Sequence, residues 1–152
     1  MINKSIKKLV CYGLAKNLFT KEDEIFVTNR ILEILNLDSF DCEESFEEIA
    51  EIRRELHRFP EIGNKEFRTI EIIIKCLEKW GVKYEKLLET GVVATVEGRE
   101  KGKAVAVRAD IDALPVEEKT ELSFKSQNDG MMHACGHDIH TAALLGTAKI
   151  LS

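Results

Sequence analysis

Residues 105–115 read Val-Ala-Val-Arg-Ala-Asp-Ile-Asp-Ala-Leu-Pro, an apolar run that leads directly into two carboxylates. The valines predict a strand at 104–107, and α/β domains place functional side chains where such strands end. Asp110 could therefore orient a metal-bound histidine, and Arg108 could hold a substrate carboxylate or pair internally. The alternative, an aspartate that only caps a turn at the strand end, is at least as common for these residues taken alone.

Helical and extended patterns alternate around this run, which predicts an α/β domain with helices packed on a mixed sheet. In order, the chain predicts a helix from the capping box at Ser45 to about Arg58, a helix capped by Asn64 that ends at Trp80 before Gly81, strands at 82–88, 92–96 and 104–107, and a last helix capped by Asp138.

The chain divides into two pieces by composition. Residues 1–40 predict a helical hairpin, because their apolar positions fall at helical spacing. Residues 41–47 are acidic and polar and predict a linker. The α/β pattern then occupies residues 48–152.

Residues 132–140 read Met-His-Ala-Cys-Gly-His-Asp-Ile-His and hold three of the chain's four histidines. Thiolate and imidazole bind transition ions such as zinc, and the glycine between Cys135 and His137 permits a tight turn that lets both converge on one ion. His133 and Arg108 could each support a ligand from a second shell, and His140 could be merely solvated. The alternative is a buried thiol beside a turn with surface histidines.

The composition restricts the class of protein. A net charge of −5 over 152 residues argues against nucleic-acid binding, and the apolar runs are too short for a membrane span. The N-terminus lacks the apolar core of a signal peptide, which favours the cytoplasm. Four scattered cysteines are then expected as thiols rather than disulfides.

Four motifs in this order resemble the peptidase family M20 amidohydrolases. They are Arg-Arg-Glu-Leu-His-Arg-Phe-Pro-Glu at 53–61, Thr-Gly-Val-Val-Ala at 90–94, Arg-Ala-Asp-Ile-Asp-Ala-Leu-Pro at 108–115 and Met-His-Ala-Cys-Gly-His-Asp at 132–138. The resemblance is to the branch that includes hippurate hydrolases, N-acetyl-diaminopimelate deacetylases and auxin-conjugate hydrolases. It covers residues 48–152 and implies the N-terminal portion of a zinc-peptidase-like catalytic domain.

The resemblance also implies a chemistry. Cys135 and His137 would be ligands of a two-metal centre holding manganese, zinc, cobalt or nickel, and Asp110 would be the catalytic-site aspartate. The substrate would be a small N-acyl amino acid. The family's remaining ligands, a glutamate and two histidines, and its general-base glutamate lie beyond the residues matched here. The chain is therefore expected to be inactive alone.

Two other interpretations stay open. The chain could be a non-catalytic remnant or the fusion of two truncated genes. Residues 1–40 also resemble the N-terminus of class II galactose-1-phosphate uridylyltransferases, which would make the chain a transferase fragment. No nucleotidyl-transfer histidine motif accompanies that segment.

Overall fold

Three helices and one β-hairpin make up the fold of the residues that the structure describes. The structure is a computed structural model that describes residues 42–98 and 102–152, so the hairpin predicted for residues 1–40, and the uridylyltransferase resemblance with it, lie outside the described residues. The elements are α1 (Cys42–Arg58), α2 (Phe67–Lys79), β1 (Lys83–Leu87), β2 (Gly91–Thr95) and α3 (His137–Leu151).

Helix α1 ends at Arg58 as predicted, but it begins at Cys42, three residues before the expected cap at Ser45. It therefore takes in residues 42–47, most of the segment predicted as a linker. No glycine or proline interrupts the sequence from residue 42 to residue 58, so nothing in it stops the helix from extending backwards.

Helix α2 begins at Phe67, later than predicted, because Asn64 adopts a left-handed φ of 64° and belongs to the preceding turn. The carboxylate of Glu61 accepts hydrogen bonds from the backbone N–H groups of Arg68 (3.1 Å) and Thr69 (2.8 Å), which otherwise lack helical partners. The cap is thus supplied from outside the helix rather than by Asn64.

The predicted stop of α2 at Gly81 is confirmed. Gly81 has a φ of 68°, and its N–H donates to the carbonyl of Glu78 at 3.1 Å. The N–H of Val82 donates to the carbonyl of Leu77 at 2.9 Å. These two bonds form a Schellman motif, which ends helices where glycine can take the left-handed conformation.

The two strands form an antiparallel pair in which Lys83 faces Thr95 and Leu87 faces Gly91. The strand predicted at 104–107 is absent, and the sheet within the described residues is antiparallel rather than mixed. A strand needs a neighbour for its backbone hydrogen bonds, and no described segment pairs with this one. Val105 is consequently 81% exposed.

The core lies between α2, the hairpin and α3. Helix α2 contributes four buried side chains to the core, and Val82 and Leu145 pack with them. The four are Ile70, Ile73, Ile74 and Leu77. Helix α3 also approaches α1 closely, since a Cβ built on Gly146 would lie 3.3 Å from Cγ1 of Ile49. Residues 49–152 form one compact unit. None of the helices in the described ranges is both long and apolar enough to cross a membrane.

Candidate metal centre

The segment 112–114 is held between two other parts of the chain. The N–H of Ala113 donates to the carbonyl of Glu61 at 2.7 Å. Leu114 and Met132 exchange two backbone hydrogen bonds of 3.0 Å, one in each direction. These bonds fix Asp112 beside the turn that follows Met132.

Cys135 and His137 converge on the backbone carbonyl oxygen of Asp112. Sγ of Cys135 lies 3.6 Å from that oxygen, and Nδ1 of His137 lies 3.1 Å from it. Nδ1 of His137 also lies 2.9 Å from the carboxylate oxygen Oδ1 of Asp112. The thiol and the imidazole predicted as metal ligands therefore both lie beside the same residue, Asp112.

The contacts of Asp112 define which nitrogen of His137 carries the proton. Both acceptors near Nδ1 are oxygens, so Nδ1–H is the donor, and in the neutral form of the ring the lone pair is on Nε2. A histidine that binds a metal commonly donates its other N–H to a carboxylate or a carbonyl in this way. Nε2 of His137 is thus the nitrogen prepared to bind an ion.

The turn between the two ligands depends on Gly136. Its φ is 83°, a left-handed conformation, and it occupies the N-cap position of α3. Its carbonyl accepts the N–H groups of Ile139 (3.1 Å) and His140 (3.2 Å). Asp138 is therefore not the cap that the sequence predicts. It lies one residue inside the helix, and its side chain is buried.

The other candidate residues lie around this pair. The carboxylate of Asp110 forms an exposed ion pair with Arg108, and among the described residues no hydrogen bond or ion pair joins Asp110 to His137. The carbonyl of Asp110 accepts a hydrogen bond from Oγ1 of Thr141 at 3.2 Å. Arg108 thus pairs internally. Sequence reasoning missed Asp112, although it stands only two residues after Asp110.

His133 and His140 flank the site without bonding to it. His133 is buried, and neither of its ring nitrogens has a hydrogen-bond partner among the described residues. Burial lowers the pKa of His133, so it is neutral at pH 7. His140 is exposed, and its ring centre lies 5.8 Å from that of His137. The ring of His137 donates its hydrogen bond to Asp112, and a role for His133 in orienting a ligand stays a prediction.

A second feature that sequence reasoning missed is the environment of His57 at the end of α1. His57 is 3% exposed, and its Nδ1 lies 2.7 Å from Oδ2 of Asp138. Its Nε2 lies 3.3 Å from Oε1 of Glu118. The hydrogen bond to Asp138 raises the pKa of His57 above its usual range, against the opposing effect of burial.

The two carboxylates around His57 are charged. Burial acts to raise the pKa of Asp138, but the hydrogen bond from His57 and the nearby Arg53 outweigh it and leave that pKa lowered. Nε of Arg53 lies 2.8 Å from Oδ2 of Asp138. The pKa of Glu118 is lowered as well, because hydrogen bonds from Thr120, Ser126 and His57 together outweigh burial.

The donor set fits part of a metal site. Thiolate and imidazole nitrogen are ligands of zinc and similar ions, and Cys135 and His137 present both from one turn. Cys76 and Cys135 form no disulfide, in keeping with the expected thiols. Within residues 42–98 and 102–152, no group of three or more histidine, cysteine, aspartate or glutamate side chains has the arrangement of a complete metal shell.

Several known proteins are similar to this chain. Residues 106–152 match the family described as peptidase family M20/M25/M40. The N-acetyl-L-cysteine deacetylase of Bacillus subtilis (strain 168) is 54% identical over 101 residues, covering 66% of this chain and 24% of that protein. Thermostable carboxypeptidase 1 of Saccharolobus solfataricus is 51% identical over 105 residues, covering 68% of this chain and 27% of that protein.

A solved structure extends the likeness to the fold. A Bacillus subtilis protein described as a dinuclear metal binding peptidase from the M20 family superposes with a TM-score of 0.70 at 45% identity, covering 72% of this chain and 31% of that one. The chain spans about a quarter of the length of the curated relatives that it matches. The α/β class predicted from the sequence is confirmed, and the described residues have the fold of part of an M20 peptidase.

Proposed function

We propose that this chain contributes Cys135 and His137 to the metal centre of an M20-type amidohydrolase that acts on N-acyl amino acids. The observation that carries the proposal is the convergence of both side chains on the carbonyl oxygen of Asp112. The alternative for this motif is a buried thiol beside surface histidines. That alternative gives no reason for the hydrogen bond between Nδ1 of His137 and the carboxylate of Asp112.

The residues of the site have separate tasks in this proposal. Cys135 and Nε2 of His137 would hold a divalent ion, and Asp112 would keep the imidazole in the correct tautomer and orientation. Such an ion supplies Lewis acidity to the amide carbonyl of the substrate. Asp110, the predicted catalytic aspartate, lies on the same segment and would act only if its carboxylate left Arg108.

The substrate class is inferred from the relatives. One of them is a deacetylase of N-acetyl-L-cysteine and another is a carboxypeptidase, and both reactions hydrolyse an amide bond next to an amino acid. We therefore propose a small N-acyl amino acid as the substrate, with manganese, zinc, cobalt or nickel as the ion and two ions in the completed site. A cytoplasmic location stays a prediction of the sequence.

The described residues supply only two ligands, so other residues must complete the shell. We expect the chain alone to bind one ion weakly and to show no hydrolysis above background. A non-catalytic remnant shares these two expectations. The uridylyltransferase alternative rests on residues 1–40 alone and has no support from the described residues.

An experiment with a chimeric enzyme distinguishes a functional amidohydrolase segment from a non-catalytic remnant. The 101-residue stretch that matches the N-acetyl-L-cysteine deacetylase replaces the corresponding stretch of that enzyme. We expect the chimera to release acetate from N-acetyl-L-cysteine, and Cys135→Ala within the grafted segment to abolish the release. Cys76→Ala is the matched control and should retain activity. A folded chimera without activity would show that the segment has lost the function.

A further inference from the structure

Four ionisable side chains form a cluster outside the proposed metal-binding pair: Arg53, which is 26% exposed, and the buried His57, Glu118 and Asp138. Glu118 and Asp138 are 2% and 1% exposed. The cluster joins three parts of the chain, because Arg53 and His57 lie in α1, Glu118 lies in the loop before the turn at residues 133–136, and Asp138 lies in the first turn of α3. The proposed chemistry uses none of these residues directly.

His57 is the central hydrogen-bonding residue of the cluster. Its Nδ1 contacts Asp138 at 2.7 Å and its Nε2 contacts Glu118 at 3.3 Å, so the ring bridges α3 and the loop. Glu118 is held in turn by the backbone N–H of Ser126 at 2.6 Å and by the hydroxyl of Thr120. Both nitrogens of His57 face carboxylate oxygens, which only accept, so both nitrogens donate.

Two consecutive residues at the start of α3 are thereby tied to different segments. His137 is tied to Asp112, and Asp138 is tied to His57 of α1. The residue before them, Gly136, has a left-handed φ of 83° and no neighbouring atom within 4 Å of the position of a Cβ. Neither a side chain nor close packing at Gly136 restrains the turn. Hydrogen bonds therefore hold the turn: the N–H of Gly136 donates to the carbonyl of His133 at 3.1 Å on one side, and the side chains of His137 and Asp138 are bonded on the other.

We propose that His57 is a positioning residue, which acts through Asp138 to fix the first turn of α3 and with it the orientation of Cys135 and His137. The geometric part of this inference stands on the hydrogen bonds alone. The consequence for metal binding rests on the proposed function. Loss of a group that orients a metal ligand typically weakens metal binding about 10–100-fold.

Two substitutions of His57 separate this role from general stability. His57→Asn keeps an amide N–H near the position of Nδ1 and can still donate to Asp138. His57→Gln keeps an N–H near the position of Nε2 and can donate only to Glu118. Both remove the positive charge and one hydrogen bond. They therefore differ mainly in which carboxylate keeps its donor.

The experiment uses the full chain and two readouts. The first is the nitrogen-15 NMR spectrum of the His137 ring and of the backbone at residues 135–140, recorded without metal. The second is the dissociation constant for zinc, measured by competition with a chromophoric chelator. Ile73→Val, which shortens a core side chain remote from the cluster, is the control for lost stability.

We expect His57→Gln to raise the zinc dissociation constant about 10-fold and to shift the His137 ring signals. We expect His57→Asn and Ile73→Val to stay within about twofold of the unsubstituted chain. Unchanged signals in both His57 variants, or equal changes in the two, would overturn the proposal.

The positioning role of His57 can still be tested if the chain does not bind zinc or if His57→Gln does not fold. Zinc binding absent from the unsubstituted chain would contradict the proposed function, whereas the NMR comparison would still decide the positioning role. If His57→Gln does not fold, the NMR comparison is made with substitutions of Asp138, the hydrogen-bond partner of His57. Asp138→Asn keeps an oxygen acceptor for Nδ1 of His57 and should preserve the His137 signals, and Asp138→Ala should not.

Discussion

The carboxylate of Asp112 lies 2.9 Å from Nδ1 of His137, and the carbonyl oxygen of the same residue accepts a hydrogen bond from Sγ of Cys135 at 3.6 Å. One residue therefore contacts both proposed metal ligands. This relationship explains how a segment in the middle of the chain and a turn before the last helix form a single site.

The first prediction distinguishes the two aspartates. Asp112→Ala removes the acceptor that orients His137 and should weaken zinc binding about 10–100-fold. Asp110→Ala should change the affinity by less than about twofold, because the carboxylate of Asp110 pairs with an exposed Arg108 and such pairs contribute little. Titration calorimetry on both variants measures the difference. A larger effect of Asp110→Ala would restore Asp110 to the metal site.

The second prediction concerns the turn at Gly136. Gly136→Ala should lower the free energy of unfolding by about 1–2 kcal/mol, because an alanine at a φ of 83° is strained. No atom lies within 4 Å of the added Cβ, so steric overlap adds nothing. Gly102→Ala is the control, since Gly102 lacks a positive φ and has equal space. Urea denaturation of both variants tests this, and equal stabilities would contradict it.

The third prediction concerns pH. The pKa of His57 is raised above its ordinary value of 6.5, chiefly by Asp138 and further by Glu118, while burial and, to a smaller extent, Arg53 oppose the shift. The stabilisation by His57 is fully present below pH 6.5 and is lost as the pH rises through the raised pKa. The stability advantage of the unsubstituted chain over His57→Gln should therefore shrink on going from pH 6 to alkaline pH. His133, whose lowered pKa acts in the opposite direction, is common to both proteins.

Denaturation curves across that range provide the measurement. An advantage that grows with pH would mean that His57 is neutral in the folded protein.

The fourth prediction concerns the segment that the sequence describes as a strand. Val105 is 81% exposed, and Val107 is 45% exposed. Val105→Lys should leave the free energy of unfolding within about 0.5 kcal/mol and reduce self-association, because charged residues protect exposed strand-forming segments. Light scattering at increasing concentration tests the second part. Val82→Lys, at a buried position, should instead unfold the protein.

Local sequence signals predicted the elements whose ends depend on local chemistry. Gly81 ends α2 because only the adjacent turn decides that conformation, and the hairpin follows from its valines and glycines. The contact of both Cys135 and His137 with Asp112 has a local basis as well, since a single glycine separates the two residues. Tertiary partners decided the rest. The run at 104–107 has strand composition but no described neighbour to pair with.

The site residues that the sequence did not identify depend on contacts between distant segments. Asp110 and Asp112 are equivalent in a sequence, and only the backbone bonds of Ala113 and Leu114 bring Asp112 to His137. His57 stands 81 residues before its partner Asp138, so the end of α1 looked like an ordinary charged surface. A histidine in an otherwise charged helix end gave no local sign of burial.

Cobalt binding tests the central claim most directly, because a cobalt–thiolate bond has its own near-ultraviolet charge-transfer absorption. The account predicts that the unsubstituted chain binds cobalt weakly with this band, that Cys135→Ser abolishes the band, and that His137→Ala weakens binding further. Cys76→Ser should leave the spectrum unchanged. A cobalt spectrum and affinity that survive both Cys135→Ser and His137→Ala would contradict the metal centre proposed here.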